Sequence, residues 1–218
     1  MKRFLKEFRG VVKREWTLEA RNRSAGLSVL LYSALTVLVS GLAFREPLSP
    51  EAWSTLFGVI LLFVAMTTVA KSFADESPER LRLVYQYCSP EAFVAGKMFY
   101  NAAFMALTSL LTLTAYLVFM RDPGIHRGYA YMGTFLGGAG LGASLTLLSA
   151  VAAAAGRIST LLAVLGFPLI IPQLNAVVRL MFGAYQDVWK WGDMYLILGI
   201  TAMSAALSVV LYPYIWQE

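Results

Sequence analysis

Polar and apolar positions alternate on two different scales along this chain. Over the first twenty residues Phe4, Leu5, Phe8, Val11, Val12 and Trp16 recur at helical spacing, with Lys2, Arg3, Lys6, Arg9, Lys13 and Arg14 between them. The pattern predicts an amphipathic helix within 1–23, lying on a bilayer surface with its cations near the phosphates, in preference to a disordered basic tail. Six runs free of Asp, Glu, Lys and Arg follow: Ser24 to Phe44, Ala52 to Ala70, Met98 to Met120, Gly128 to Gly156, Ile158 to Val178 and Met194 to Gln217. A hydrocarbon core of about 30 Å takes about 20 helical residues. The runs therefore predict an all-α membrane protein, one transmembrane domain over 1–218 with spans near 24–44, 52–70, 98–120, 129–156, 158–178 and 194–214. A barrel would show short alternating strands instead.

Composition agrees. Hydrophobic residues make up 58% and charged residues 14% of the 218, and the mean hydropathy is +0.63, outside the soluble range. The basic N-terminal segment is too long and the first apolar run too extended for a cleavable signal peptide, so the first span is expected to stay as an anchor. Of the 18 Lys and Arg, eight precede the first span, four lie in 71–97 and Arg157 separates spans four and five, against five on the other side. That excess puts both termini in the cytoplasm of a multi-pass membrane protein. The basic sequence pI of about 9.4 then reflects anionic headgroups rather than nucleic acid.

Features inside the spans suggest how they pack. The fourth carries Gly133, Gly137, Gly138, Gly140 and Gly142, including two Gly-x-x-x-Gly pairs. These suit close packing within the bundle, with a homodimer as the alternative. Pro168 and Pro172 remove two backbone donors from the fifth span, which should kink or break there unless neighbours satisfy the freed carbonyls; a moving part and a static kink both fit. Trp53, Tyr129, Tyr131, Trp189, Trp191 and Tyr195 fall where an outer interfacial belt is expected, and Tyr212, Tyr214 and Trp216 at the inner one.

The one long polar island, Lys71 to Lys97, holds two Ser-Pro pairs, Ser77-Pro78 and Ser89-Pro90, each followed by glutamate. Serine can accept a bond from a free N–H at a helix start, proline suits the first helical position, and glutamate complements the dipole. The first pair predicts a short helix over 77–88 that exposes Arg80, Leu81, Arg82, Tyr85 and Tyr87, residue types suited to docking on a partner protein rather than to a plain linker. The second predicts a helix running from Pro90 into the third span.

Catalytic chemistry is not evident. No span holds Asp, Glu or His; Cys88 and His126 are each alone in the chain. Metal-ligand spacing and a Ser-His-Asp set are missing, and Gly96-Lys97 lacks the earlier glycine of a phosphate-binding loop. The chain is expected to be no enzyme and to bind no metal or cofactor itself, with any ATP used by a separate subunit. Met98, Met105 and Met120 read as packing residues.

Laid out this way, the chain resembles the CcmB family, the haem exporter B-type membrane subunits of the cytochrome c maturation ABC complex. The resemblance runs nearly end to end. It rests on Lys13-Arg14-Glu15 through Glu19-Ala20-Arg21; on Lys71, Phe73 and Glu76; on Ser89-Pro90, Gly96-Lys97 and Asn101; and on Arg157 followed by Pro168 and Pro172. Lys71 departs from the arginine common there, keeping charge without bidentate geometry. The resemblance implies an ABC-type permease architecture, with 71–97 as coupling loop and 77–88 as coupling helix. The partners it implies are a cytoplasmic ATPase, a haem-handling membrane subunit and a periplasmic haem chaperone, with haem as cargo. A permease for another lipid, drug or polysaccharide, or a scaffold that only assembles haem-handling subunits, is the alternative.

Overall fold

The computed structural model describes residues 2–21, 23–44, 47–74, 88–120, 124–154 and 158–215. They form seven helices: α1 (Lys2–Arg21), α2 (Arg23–Ala43), α3 (Pro50–Ala74), α4 (Pro90–Phe119), α5 (Arg127–Ala154), α6 (Ile158–Tyr185) and α7 (Trp191–Ile215). Helices α2 to α7 are long and apolar enough to cross a membrane, so the fold is the all-α membrane bundle that the apolar runs predict.

Several helices outrun the uncharged runs. Helix α4 starts at Pro90, eight residues before the run beginning at Met98, and α6 continues through Pro168 and Pro172 to Tyr185, beyond the expected end at Val178. The reason is that a charge ends an apolar run without ending backbone hydrogen bonding. Lys97 is accommodated inside α4 by burial against α1. Arg179 sits on α6 with an exposed side chain, 3.8 Å from Asp193 in the first turn of α7. Trp53, in the first turn of α3, is buried against Tyr116, whose hydroxyl donates to the Trp53 carbonyl at 2.9 Å. Tyr212, near the end of α7, stacks on Phe93.

Helix α5 is the most deeply buried span and packs on α3, α4, α6 and α7. Its glycines explain how. A Cβ at Gly133 would meet Leu180 of α6 at 3.2 Å, and one at Gly137 would run into Val177. Gly138 faces Ser109 of α4, Gly140 faces Gln173 of α6 and Thr201 of α7, and Gly142 faces the Asn101 carbonyl of α4 at 2.7 Å. The glycine-rich surface is thus used up within one bundle. Side-chain bonds reinforce it: Asn101 Nδ2 donates to Thr146 Oγ1 at 3.0 Å, and Ser144 and Ser204 share a bond at 3.1 Å.

Two ends of the bundle follow from the packing. At the near end Val11, Phe93, Val94, Ala150 and Tyr212 form one cluster, so α1, the start of α4 and the ends of α5 and α7 meet there. At the far end His126 donates its N–H to the Ala184 carbonyl, and Tyr129 packs edge-on against Trp189.

Gly142→Ala forces a methyl against backbone that cannot move aside and should cost about 1–3 kcal/mol. Gly199→Ala, where a Cβ meets nothing within 4 Å, should be neutral or gain about 0.5–1 kcal/mol. Thermal stability of the detergent-solubilised protein checks this: equal losses at the two sites would refute the packing described.

Candidate functional site at the start of α4

The second Ser-Pro pair does start a helix, with Pro90 in its first turn and Glu91 beside it. Ser89 is extended (φ −70, ψ 143), as a residue before proline should be. Its side chain does not cap α4 as expected. Instead, the Ser89 hydroxyl and backbone N–H both donate to Glu7 Oε2 of α1, at 2.7 and 3.0 Å, across 82 positions of sequence. Both bonds are charge-assisted, and the carboxylate's charge lies at the positive end of the α4 dipole. Arg3 Nε donates to the other Glu7 oxygen at 2.7 Å. The Ser89 N–H, then Arg3, then the Ser89 hydroxyl hold the Glu7 carboxyl down to about 2. Burial, with the charge of Glu7 second, pushes the neighbouring Cys88 thiol up.

The seam continues along α4. At Gly96 a Cβ would lie 2.9 Å from Val11 and 3.3 Å from the Phe8 carbonyl, so only glycine allows this approach. Lys97 is fully buried, its Nζ 3.9 Å from Glu15 Oε2 and 5.7 Å above the Phe93 ring, while Arg14 donates to Glu15 Oε1 at 3.0 Å. A buried ammonium is tolerable because a carboxylate and a ring face offset part of its desolvation. Phe8 then meets Phe99, and Trp16 meets Tyr100 edge-on. Contacts advance together along both helices, so α1 runs beside the first turns of α4 and does not rest on lipid alone.

Lys97 and Asn101 lie one helical turn apart and serve different neighbours. Lys97 faces α1, and Asn101 binds Thr146 of α5. The structure therefore brings Pro90, Lys97 and Asn101 together at one root. Lys71 and Phe73 lie in the last turns of α3. Glu76, Arg80, Leu81, Arg82, Tyr85, Tyr87, the helix proposed over 77–88 and Arg157 lie outside the described residues. On α6, Pro168 is exposed and Pro172 half-buried. The adjacent Gln173 is fully buried over Gly140, its Nε2 3.5 Å from Thr201 Oγ1 and its Oε1 without a partner among the described residues. His126 is exposed at the far end, stacked on Tyr129 at 4.1 Å.

Glu7 is the residue that the sequence did not single out. The signal was present, since acids in a basic amphipathic helix, and Glu15 four positions from Val11 on its apolar face, require a partner.

Because Glu7 titrates below its ordinary range, its contribution to holding α1 is complete above about pH 4.5 and disappears as pH falls towards about 2. Spin-label distances between Gly10 and Ala103, in a Cys88→Ser background, should show α1 better docked in the parent than in Glu7→Gln, by a margin constant down to pH 4.5. A margin already lost between pH 6 and 5 would contradict the Ser89 bonds.

No curated protein matches the sequence. The CcmB protein family matches residues 6–214, a stretch that takes in the whole α1–α4 seam and all six spans. On that match the chain belongs to the CcmB family, whose members take part in the haem-export ABC system of cytochrome c maturation.

Proposed function

We propose that the chain is the membrane subunit through which an ATP-hydrolysing partner drives haem export, or release of the haem-loaded chaperone, during cytochrome c maturation. The observation that carries this is the clamping of α4 at its first turns. Glu7 and Glu15 hold it to α1, and Asn101 holds it to α5. A displacement applied to the segment just before Pro90 would move these elements as one body.

The thirteen-to-five excess of Lys and Arg supports a cytoplasmic near end, with both termini in the cytoplasm of a bacterial inner-membrane protein. Arg80, Leu81, Arg82, Tyr85 and Tyr87 then offer the ATPase its docking surface. Hydrolysis belongs to that partner, because this sequence has no phosphate-binding loop. The Pro168/Pro172 segment of α6 passes the motion towards the far end, where the haem-handling subunit and chaperone act.

Coexpression with the ATPase should give a complex that Arg80→Ala and Tyr85→Ala weaken, with a matching fall in ATPase stimulation. Glu7→Ala should leave the complex assembled yet lower ATP-dependent release of haem-loaded chaperone. Undiminished binding and stimulation in the first two variants would remove the coupling role from 77–88, and full release in the third would remove it from the α1 clamp.

A further inference from the structure

Helix α1 has three faces rather than two. Glu7, Phe8, Val11 and Glu15 meet α4. Leu5 and Trp16 form an apolar edge that stays 49% and 60% exposed. Lys6, Arg9 and Lys13 form an exposed cationic strip next to that edge, and among the described residues no carboxylate lies within ion-pair distance of them.

The surroundings identify what covers the second and third faces. Trp16 stands beside Tyr100, and Phe8 beside Phe99, which is itself 56% exposed on a membrane-spanning helix. The apolar edge of α1 therefore continues the lipid-facing surface of α4. Depth follows from length. Helix α4 has 30 residues, about 45 Å at 1.5 Å per residue, against a hydrocarbon core of about 30 Å. Glu91 and Lys97 mark the near end as the part outside that core, and since headgroups add about 5–8 Å on each side, the surplus of about 15 Å carries the start of α4, beside α1, through the headgroup layer. An apolar edge at the acyl boundary with a cationic strip beside it matches an anionic bilayer surface. An acidic protein would complement the strip but not an edge that continues the lipid-facing surface.

We propose that the Lys6, Arg9 and Lys13 strip binds anionic phospholipid headgroups, and that this binding is transmitted through the Glu7–Ser89 contact to the start of α4. The mechanism is population shift: headgroups that favour docked α1 favour the Glu7-capped state of α4 by the same margin. It is independent of whether an ATPase docks at 77–88, so either idea can fail alone.

Cys88, the chain's only cysteine, reports directly, because it adjoins Ser89 and packs against the Val11, Phe93 and Tyr212 cluster. The full-length protein is reconstituted in phosphatidylcholine vesicles with and without phosphatidylglycerol, and alkylation of Cys88 by a neutral reagent is followed at matched thiolate fraction. Anionic lipid should slow alkylation about fivefold or more, the weight of about one juxtamembrane cation, and added salt should reverse this. Lys6→Gln/Arg9→Gln/Lys13→Gln should abolish the lipid effect, whereas Lys6→Arg/Lys13→Arg should keep it. Glu7→Ala should abolish it at Cys88 while Trp16 stays quenched by brominated lipid. Equal rates in both vesicles, an intact lipid effect in the triple Gln variant, or the same slowing by inorganic phosphate in neutral vesicles would each overturn the proposal. Slowing in neutral vesicles that follows addition of the ATPase, is kept in Arg80→Ala/Tyr85→Ala and is lost in the triple Gln variant would assign the strip to a protein and overturn it as well.

Discussion

Close approach of backbones along α5 is the contact on which the rest of the bundle depends. In lipid no hydrophobic force drives one span against another, so spans are held by steric fit and by polar bonds. The polar bonds are the smaller share. Interhelical hydrogen bonds in membranes average about 0.6 kcal/mol, whereas an ill-fitting methyl in a packed interior costs about 1–3 kcal/mol. Gly133, Gly137, Gly138, Gly140 and Gly142 therefore matter more than Asn101–Thr146 or Ser144–Ser204 in deciding where α4, α6 and α7 stand. One central helix made of small residues fixes the positions of its larger neighbours.

The near end is built on a different principle. There charged contacts join the aromatic ones between α1 and α4, and each buried charge has a partner of opposite sign. Glu7 is bound by donors from two helices, and Glu15 stands between Arg14 and the buried Lys97. The glycine at position 96 brings the two helices close enough for these side chains to reach. A rigid apolar post and a polar handle on α4 are thus joined within three turns of the same helix, an arrangement that suits the coupling role proposed above.

Most of the fold was legible because a bilayer leaves few choices. Uncharged runs of the right length gave the six spans, and the Ser89-Pro90 pair gave the start of α4. What the pattern missed has a common physical cause. Periodicity records which residue types lie on a face, not what occupies the opposite side of it. Lys97 fell within the helix expected from Pro90, but a lone lysine at the edge of an apolar run gave no sign that Glu15 and Phe93 make it an interior residue. Residue type suggested a depth for Trp53 but not the Tyr116 ring that it packs against. Ser89 looked like a self-sufficient cap because the usual partner of such a serine is local, whereas its actual partner lies in another helix.

The separation of that partner in sequence bears on how the protein is made. Glu7 leaves the ribosome 82 residues ahead of Ser89, after which two complete spans must be synthesised and inserted. For that interval α1 has no α4 to hold, and its carboxylates must remain hydrated at the membrane surface. Closing so long a loop costs little more than closing a short one, since each doubling adds only about 0.6 kcal/mol. The delay is therefore a matter of order rather than of energy. An emerging chain that stops short of the third span presents an undocked, charged N-terminal helix, which makes α1 a marker by which complete and incomplete chains differ at the membrane surface.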